Sequence, residues 1–251
     1  VAGEVGTRAA ELAGLIRESS STVALTGAGI SVPSGIPDFR TPGKGLWTRV
    51  DPMKVATIDA FHADTRRFWD FYRPRFSELG AKEPNPAHEA LAELEQRGVL
   101  DAVVTQNIDL LHRKAGSREV IEVHGSIASS SCTSCGQRWE LAEVEALFDE
   151  DGIATCTGCT GKVKPDVVLF GELLPEAAMA RAQELCAGAE LLLCIGSSLE
   201  VFPVAGLPEL TLAAGGRVAI VTQSSTPYDG EAAIRLDGDV VAELEAVLAE
   251  L

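Results

Sequence analysis

Four of the six cysteines are arranged as Cys132-x2-Cys135 and Cys156-x2-Cys159, with 20 residues between the pairs. Two such knuckles present four thiolates to one tetrahedral ion, and a shell filled by sulfur leaves no position for water or substrate, so the reading is one structural zinc. Disulfides are the alternative and would need an oxidising compartment. A second segment is Thr26-Gly27-Ala28-Gly29-Ile30-Ser31. Glycines directly after a strand let backbone N–H groups approach a pyrophosphate at a helix N-terminus. The third glycine of the usual dinucleotide fingerprint is replaced by Val32, and no strand-end acid follows about 20 residues later. The motif alone therefore leaves phosphate binding open. Pro33 to Arg40 reads as a punctuated loop ending in Asp38, Phe39 and Arg40, a composition suited to a ligand-covering lid. Two more polar clusters close apolar runs: Gln106-Asn107-Ile108-Asp109 with His112, and His124-Gly125. Asn and Asp beyond a strand also cap the next helix, here one starting near Asp109, and a strand-end His often serves structure. Three clusters at strand carboxyl ends, where open α/β sheets bind ligands, point to one site.

The elements that must position these residues are legible as a rhythm. Runs rich in Val, Ile and Leu recur at 22–26, 102–105, 119–123, 167–170, 191–195, 217–221 and, more weakly, 233–236. They lack strict polar alternation, as expected of strands buried on both faces. Helical patterns lie at 4–18, 87–97, 175–187 and 239–250, and the second ends at Gly98, a suitable C-cap. Strands alternating with helices predict a doubly wound α/β domain with a parallel sheet. Residues 41–85 hold no strand pattern; Phe61 to Phe76 is helical and aromatic-rich, with Pro74 expected to disturb its end. Residues 126–162 carry the cysteine pairs and a helical pattern from Leu141 to Phe148. Both stretches read as insertions forming one smaller zinc-ribbon and helical module, so the larger domain takes 1–40, 86–125 and 163–251, and the smaller 41–85 and 126–162. Cys186 and Cys194 read as small core residues.

Length and charge narrow the class. The chain has 251 residues, 46% hydrophobic and 23% charged, ordinary values for a globular protein of one large domain or a large and a small one. No apolar run approaches the ~18–20 residues of a membrane span, and Val1 to Ser20 lacks the basic start and apolar core of a signal peptide. A cytoplasmic protein with no membrane partner is the expectation. Lys and Arg number 21 against 37 Asp and Glu, a net charge of −16. Such a surface repels phosphate backbones and attracts basic peptides. A nucleic-acid-binding zinc ribbon is excluded on the same ground: between the cysteine pairs only Arg138 stands against six acids from Glu140 to Asp151.

Taken in order, these motifs resemble the sirtuins, the NAD-dependent protein-lysine deacylases. The resemblance runs through Gly27-Ala28-Gly29-Ile30-Ser31, Gly35-Ile36-Pro37-Asp38-Phe39-Arg40, Thr105-Gln106-Asn107-Ile108-Asp109 with His112, His124-Gly125, the four cysteines and Pro165 to Glu172, and closes on Gly196-Ser197-Ser198-Leu199-Glu200-Val201-Phe202-Pro203-Val204-Ala205. It implies a Rossmann-like domain and a small zinc domain, with NAD and an acyl-lysine peptide between them. The products would be nicotinamide, free lysine and 2′-O-acyl-ADP-ribose.

Residue by residue, the resemblance implies that His124 is the general base, a role that suits an imidazole near neutral pH. Asn107, also assigned to catalysis, and Asp109 would hold the nicotinamide carboxamide and ribose, with Gln106 on the ribose and Ile108 beside them. Gly27, Ala28, Gly29, Ile30, Asp38 and Arg40 would line the cofactor, and Phe39 would shield the reacting face. Gly196, Ser197 and Ser198 would sit by the phosphates and Asp239 near the adenine. Thr222 stands where the family usually has Asn for the adenosine ribose, which puts NAD affinity in question. Val168, Leu169, Phe170, Gly171 and Glu172 on one side, and Glu200 and Val201 on the other, would flank the peptide as an added strand. Tyr72 and Arg75 align with the pair by which one sirtuin branch reads acidic acyl groups such as succinyl; positions i and i+3 share a helix face, so both could grip one carboxylate. The resemblance leaves deacetylation and desuccinylation both open, with a monomer expected. ADP-ribosyl transfer and a catalytically silent NAD sensor remain the other readings.

Overall fold

The computed structural model describes residues 2–38 and 50–251, with the side chains of the first five of these left out. Phe39 and Arg40 lie outside the described residues. Strands β1 (Thr22–Thr26), β2 (Ala102–Thr105) and β3 (Val120–Glu122) stand at 22–26, 102–105 and within 119–123, as the apolar runs predict. Three further short strands follow, β4 (Gly125–Cys132), β5 (Arg138–Glu140) and β6 (Val163–Val167). The apolar runs near the end form β7 (Leu191–Ile195), β8 (Arg217–Val221) and β9 (Ile234–Leu236). Six of them make a parallel sheet in the order β3-β2-β1-β7-β8-β9. The order reverses between β1 and β7, and a doubly wound sheet opens its ligand crevice at that point, beyond the strand carboxyl ends.

Strand side chains alternate between two apolar layers, which is why their runs show no polar alternation. Ala24, Val103, Leu193 and Ala219 face one layer, with Leu12 and Ile16 of α1 (Ala2–Glu18), Leu91 and Leu94 of α4 (Pro86–Gln96), and Leu244 and Val247 of α9 (Val240–Ala249). Val23, Leu25, Val104, Cys194 and Ile220 face the other, with Ala182 and Cys186 of α7 (Glu176–Gly188) and Leu207 of α8 (Leu207–Ala213). Cys186 and Cys194 are therefore core residues, and burial pushes both thiols up. Gly98 adopts φ +74° directly after the α4 cap, as its place in the sequence requires.

The smaller module departs from the sequence reading in three places. First, the run at 167–170 is not a strand of the large sheet. The pairing strand is β6, antiparallel to β4, which in turn pairs with β5. Its burial alternates, with Val163, Pro165 and Val167 inward, the mark of a sheet with one solvated face. Second, Phe61 to Phe76 is two helices, α2 (Ile58–Ala63) and α3 (Thr65–Gly80), divided where the Asp64 carboxylate accepts the Arg67 N–H. Pro74 does not end α3, because Phe68, Trp69 and Phe76 anchor it on both sides of the proline within one aromatic core that also holds Phe61, Trp139 and Val163. Third, the Leu141–Phe148 pattern shortens to α6 (Leu141–Val144) and a 3-10 turn from Glu145 to Leu147. Among the described residues, no helix is long and apolar enough to cross a membrane.

Candidate active site

The carboxyl ends of β1 and β7 touch through glycine. The Gly27 N–H donates to the Ile195 carbonyl (3.0 Å) and the Gly29 N–H to the Gly196 carbonyl (2.8 Å). A Cβ on Gly29 would lie 2.7 Å from Gly196 Cα, and one on Gly196, at φ +62°, would lie 2.3 Å from Ile30 N. Side chains do not fit at such a crossing. The glycines of the motif thus serve a contact between strand ends, beside the phosphate binding that the motif alone leaves open. The Gly27 and Gly29 N–H groups are bonded to the last carbonyl of β7 and to the one after it, and the chain from Ala28 to Ser34 is a 3-10 helix.

The crossing sets a buried polar cluster. The Asn107 side-chain amide donates to the Gly27 carbonyl and to Ser31 Oγ, both at 3.1 Å. Ser31 in turn donates to Asp109 Oδ2 at 2.7 Å. The other Asp109 oxygen accepts the Leu111 N–H at 3.0 Å, at the start of α5 (Leu111–Lys114), so this carboxylate bonds the first helical N–H and also faces the cluster. Burial raises the Asp109 carboxyl, and the Ser31 and backbone bonds oppose that rise. With both amide protons engaged, Asn107 keeps Oδ1 as an acceptor for a ligand's N–H.

Behind this cluster lie two imidazoles stacked edge to face at 4.9 Å, His88 and His112. His88 Nε2 lies 3.4 Å from Ser31 Oγ, and its Nδ1 accepts the Asn85 N–H. His112 Nε2 lies 2.9 Å from Thr26 Oγ1, whose proton goes to Thr105 Oγ1 at 2.9 Å. The Thr26 hydroxyl therefore accepts from the ring, and among the described residues the buried His112 Nδ1 has no partner. Burial pushes His88 down to about 4; burial and the adjacent His88 push His112 down to about 3. Both rings are neutral at pH 7. Ser31 and His88 were not singled out from sequence as site residues. The available signal for His88 was a polar side chain on the apolar face that carries Leu91 and Leu94.

His124 follows β3, and its Nδ1 lies 3.0 Å from the Gln106 carbonyl. A carbonyl only accepts, so Nδ1 carries the proton and Nε2 presents its lone pair. Burial lowers its pKa and the carbonyl bond partly restores it. Gln106 also donates through Nε2 to Ser197 Oγ at 2.8 Å, tying β2 to β7. Gly27, Asn107, Asp109, Gln106, His124, Gly196 and Ser197 are thus brought together. Others lie on the same edge without joining them. Thr222 follows β8 with Oγ1 near Ser224 (3.2 Å), Asp239 accepts two N–H groups as the cap of α9, and Ser198 donates to Glu200. Tyr72 stacks on Phe76 at 5.1 Å and burial pushes its phenol up to about 12. The Arg75 guanidinium lies 3.6 Å over the Phe71 ring and bonds the Phe71 carbonyl. Tyr72 and Arg75 share a face, but each already has a partner on its own helix.

Residues 27–203 match the Sir2 family. The chain belongs to it. A curated relative, the NAD-dependent protein deacetylase of Thermotoga maritima, is 40% identical over 240 residues, covering 96% of this chain and 97% of that protein. A Sir2 structure with a deacetylated peptide and 3′-O-acetyl ADP ribose superposes with a TM-score of 0.91 at 39% identity, covering 96% and 97% of the two chains. Another, with a peptide and NAD+, gives 0.89 at 39% identity and the same coverage.

The Sir2 chain's four knuckle sulfurs lie within 4.8 Å of one another, with Cys132–Cys159 at 3.4 Å and Cys135–Cys156 at 3.7 Å. Tetrahedral zinc sets sulfurs about 3.8 Å apart, so these residues fit a metal, and no pair is at the ~2.05 Å of a disulfide. Metal analysis should return one zinc per chain. Cys135→Ser should lose it and lower the thermal midpoint; a full equivalent retained in that variant would remove Cys135 from the ligand set.

The imidazole pair sets an acid limit on stability. Both rings have ordinary values of 6.5 when unfolded and depressed values when folded, so their contribution is complete above pH 6.5 and is lost as pH falls toward about 4 and about 3. Each adds a slope of roughly 1.4 kcal/mol per pH unit in that window. Urea midpoints should fall on acidification below pH 6.5, less steeply for His88→Gln; equal slopes would mean that His88 titrates alike in both states.

Proposed function

We propose that this protein is an NAD-dependent protein-lysine deacylase with His124 as general base. The observation that carries the reading is the Gln106 carbonyl on His124 Nδ1. It fixes one tautomer and leaves Nε2 basic at the carboxyl edge of the sheet, among the Asn107, Asp109 and Ser197 groups. The relatives named with NAD and peptide support the choice of substrates. NAD supplies an electrophilic ribose carbon for the acyl oxygen, with nicotinamide as leaving group. With one water consumed, the other products are free lysine and 2′-O-acyl-ADP-ribose.

The chain's own residues do the rest. Asn107 Oδ1 accepts from the nicotinamide carboxamide, and Asp109, held by Ser31, orients the same end of the ligand. Gln106 faces the ribose and takes its proton-transfer partner into register, because its backbone carbonyl is what holds His124. His124 Nε2 withdraws the proton of a ribose hydroxyl. Gly27, Ala28, Gly29 and Ile30, with Asp38, Gly196, Ser197 and Ser198, wall the phosphate end, and Thr222 and Asp239 lie toward the adenosine. The peptide lies between 168–172 and 200–201. We assign the six-stranded sheet with its helices to the cofactor domain, and the aromatic and zinc-knuckle module to the smaller one.

On the acyl group, Arg75 favours a short neutral chain: a succinyl carboxylate would have to draw the guanidinium off Phe71. The decisive experiment incubates the protein with NAD and matched acetyl-lysine and succinyl-lysine peptides and follows products by mass spectrometry. Acyl-ADP-ribose is expected, more from acetyl than succinyl, with the acid limb of kcat/KM below 6.5 because burial depresses His124. His124→Tyr should lose at least ~10²-fold in turnover; near-normal turnover would remove it from the mechanism. ADP-ribose attached to a protein, with no acyl transfer, would favour ADP-ribosyl transfer instead. Arg75→Met should spare acetyl-lysine, and a selective loss on succinyl-lysine would establish the acidic-acyl role.

A further inference from the structure

We propose that Lys164 is a positioning residue for the acylated peptide, acting through Glu172 on segment 168–172; this rests on the deacylase reading. Lys164 lies on β6, and its ammonium reaches along its own strand to segment 168–172. It donates to the Pro165 carbonyl (3.0 Å), the Val167 carbonyl (2.8 Å) and Glu172 Oε2 (3.0 Å). These use all three protons of the group. The same Glu172 oxygen accepts the Leu169 N–H at 2.8 Å. The two side chains are only 15% and 24% exposed, so the pair is shielded and removing one partner leaves the other charge poorly solvated.

The rest of the segment shows what this clamp orients. The Val168 N–H donates to the His124 carbonyl (2.8 Å), so the segment is attached to the proposed base by one bond. Phe170 is bonded on both sides of its residue, N–H to the Ala56 carbonyl (2.9 Å) and carbonyl from the Ile58 N–H (3.0 Å). Gly171 then turns at φ +91°, and the Glu172 N–H returns to the Leu169 carbonyl at 3.0 Å. Among the described residues, no hydrogen bond engages the Val168 carbonyl or either backbone group of Gly171. Those are the groups an incoming strand would pair with. Their direction is set by the turn from Leu169 to Glu172, which the Glu172 carboxylate closes and Lys164 holds. Two of its acceptors, the Pro165 and Val167 carbonyls, belong to β6 itself, so the peptide KM read against the NAD KM is what separates an effect on the turn from one on the strand.

Lys164→Met and Lys164→Arg test this with acetyl-lysine peptide and NAD varied separately, and with amide hydrogen exchange on the free proteins. Lys164→Met is expected to raise the peptide KM about tenfold, the loss of one charged hydrogen-bond set. The NAD KM should stay at the wild-type value, and exchange at the Leu169 amide should quicken. Lys164→Arg should recover part of the peptide KM, because a guanidinium still reaches a carboxylate. Equal losses in both KM values, a loss confined to kcat, or an unchanged Leu169 exchange rate would each overturn the proposal. A wild-type protein that neither binds nor turns over the acetyl peptide would overturn the deacylase reading and the peptide role with it, whereas quickened Leu169 exchange in Lys164→Met would show that the clamp itself exists.

Discussion

The backbone of Gly29 lies against the backbone of Gly196, and most of the site depends on that approach. Parallel strands bring their carboxyl ends to one edge, but side chains there usually keep neighbouring loops apart. Here the absence of Cβ atoms lets the loops after β1 and β7 exchange hydrogen bonds directly. The Gly27 carbonyl is thereby held in place to receive Asn107, and Ser197 is brought within reach of Gln106. Gln106, after β2, then carries the constraint to a fourth strand end, that of β3, through its carbonyl on His124. One steric condition thus links the loops of four strands.

The cluster formed in this way is polar and dry, a costly combination unless each group is matched. Ser31 does most of the matching: it accepts from Asn107 and donates to Asp109. The imidazoles behind it meet the requirement differently, by remaining neutral. A charged ring so close to the cluster would change its field, whereas a neutral one supplies a donor and an acceptor without charge. His124 is less enclosed, and with Nδ1 on the Gln106 carbonyl its Nε2 keeps a lone pair.

The smaller module is held by another kind of force. Phe61, Phe68, Trp69 and Phe76 are buried together with Trp139 and Val163, and burying each such side chain contributes about 1.5–3 kcal/mol. Arg73 on α3 pairs with Glu145 and lies 4.1 Å over Phe148, fastening the helix to the knuckle side of the module. The knuckles close the far end around four converging sulfurs. Segment 168–172 leaves this module for the large sheet and carries its bond to His124 as it goes.

The sequence by itself determined the six strands of the large sheet, because buried parallel strands need continuous apolar runs, although it offered a seventh such run at 167–170 that the sheet does not use. It determined the knuckles as well, since two C-x2-C pairs are a local ligand pattern. The Val163-Lys164-Pro165-Asp166-Val167 alternation was equally present in it, but the stronger apolar run at 167–170 drew the strand four residues late. Only tertiary structure could decide that β6 belongs with β4, because pairing depends on which edge is free. It alone showed that α3 continues through Pro74, where aromatic burial on both sides outweighs one missing backbone donor. It also made Ser31, His88 and His112 into one network, and brought the glycines after β1 against the backbone that follows β7. Those roles come from residues far apart in the chain that meet only once the sheet has formed, and no local spacing encodes such a meeting.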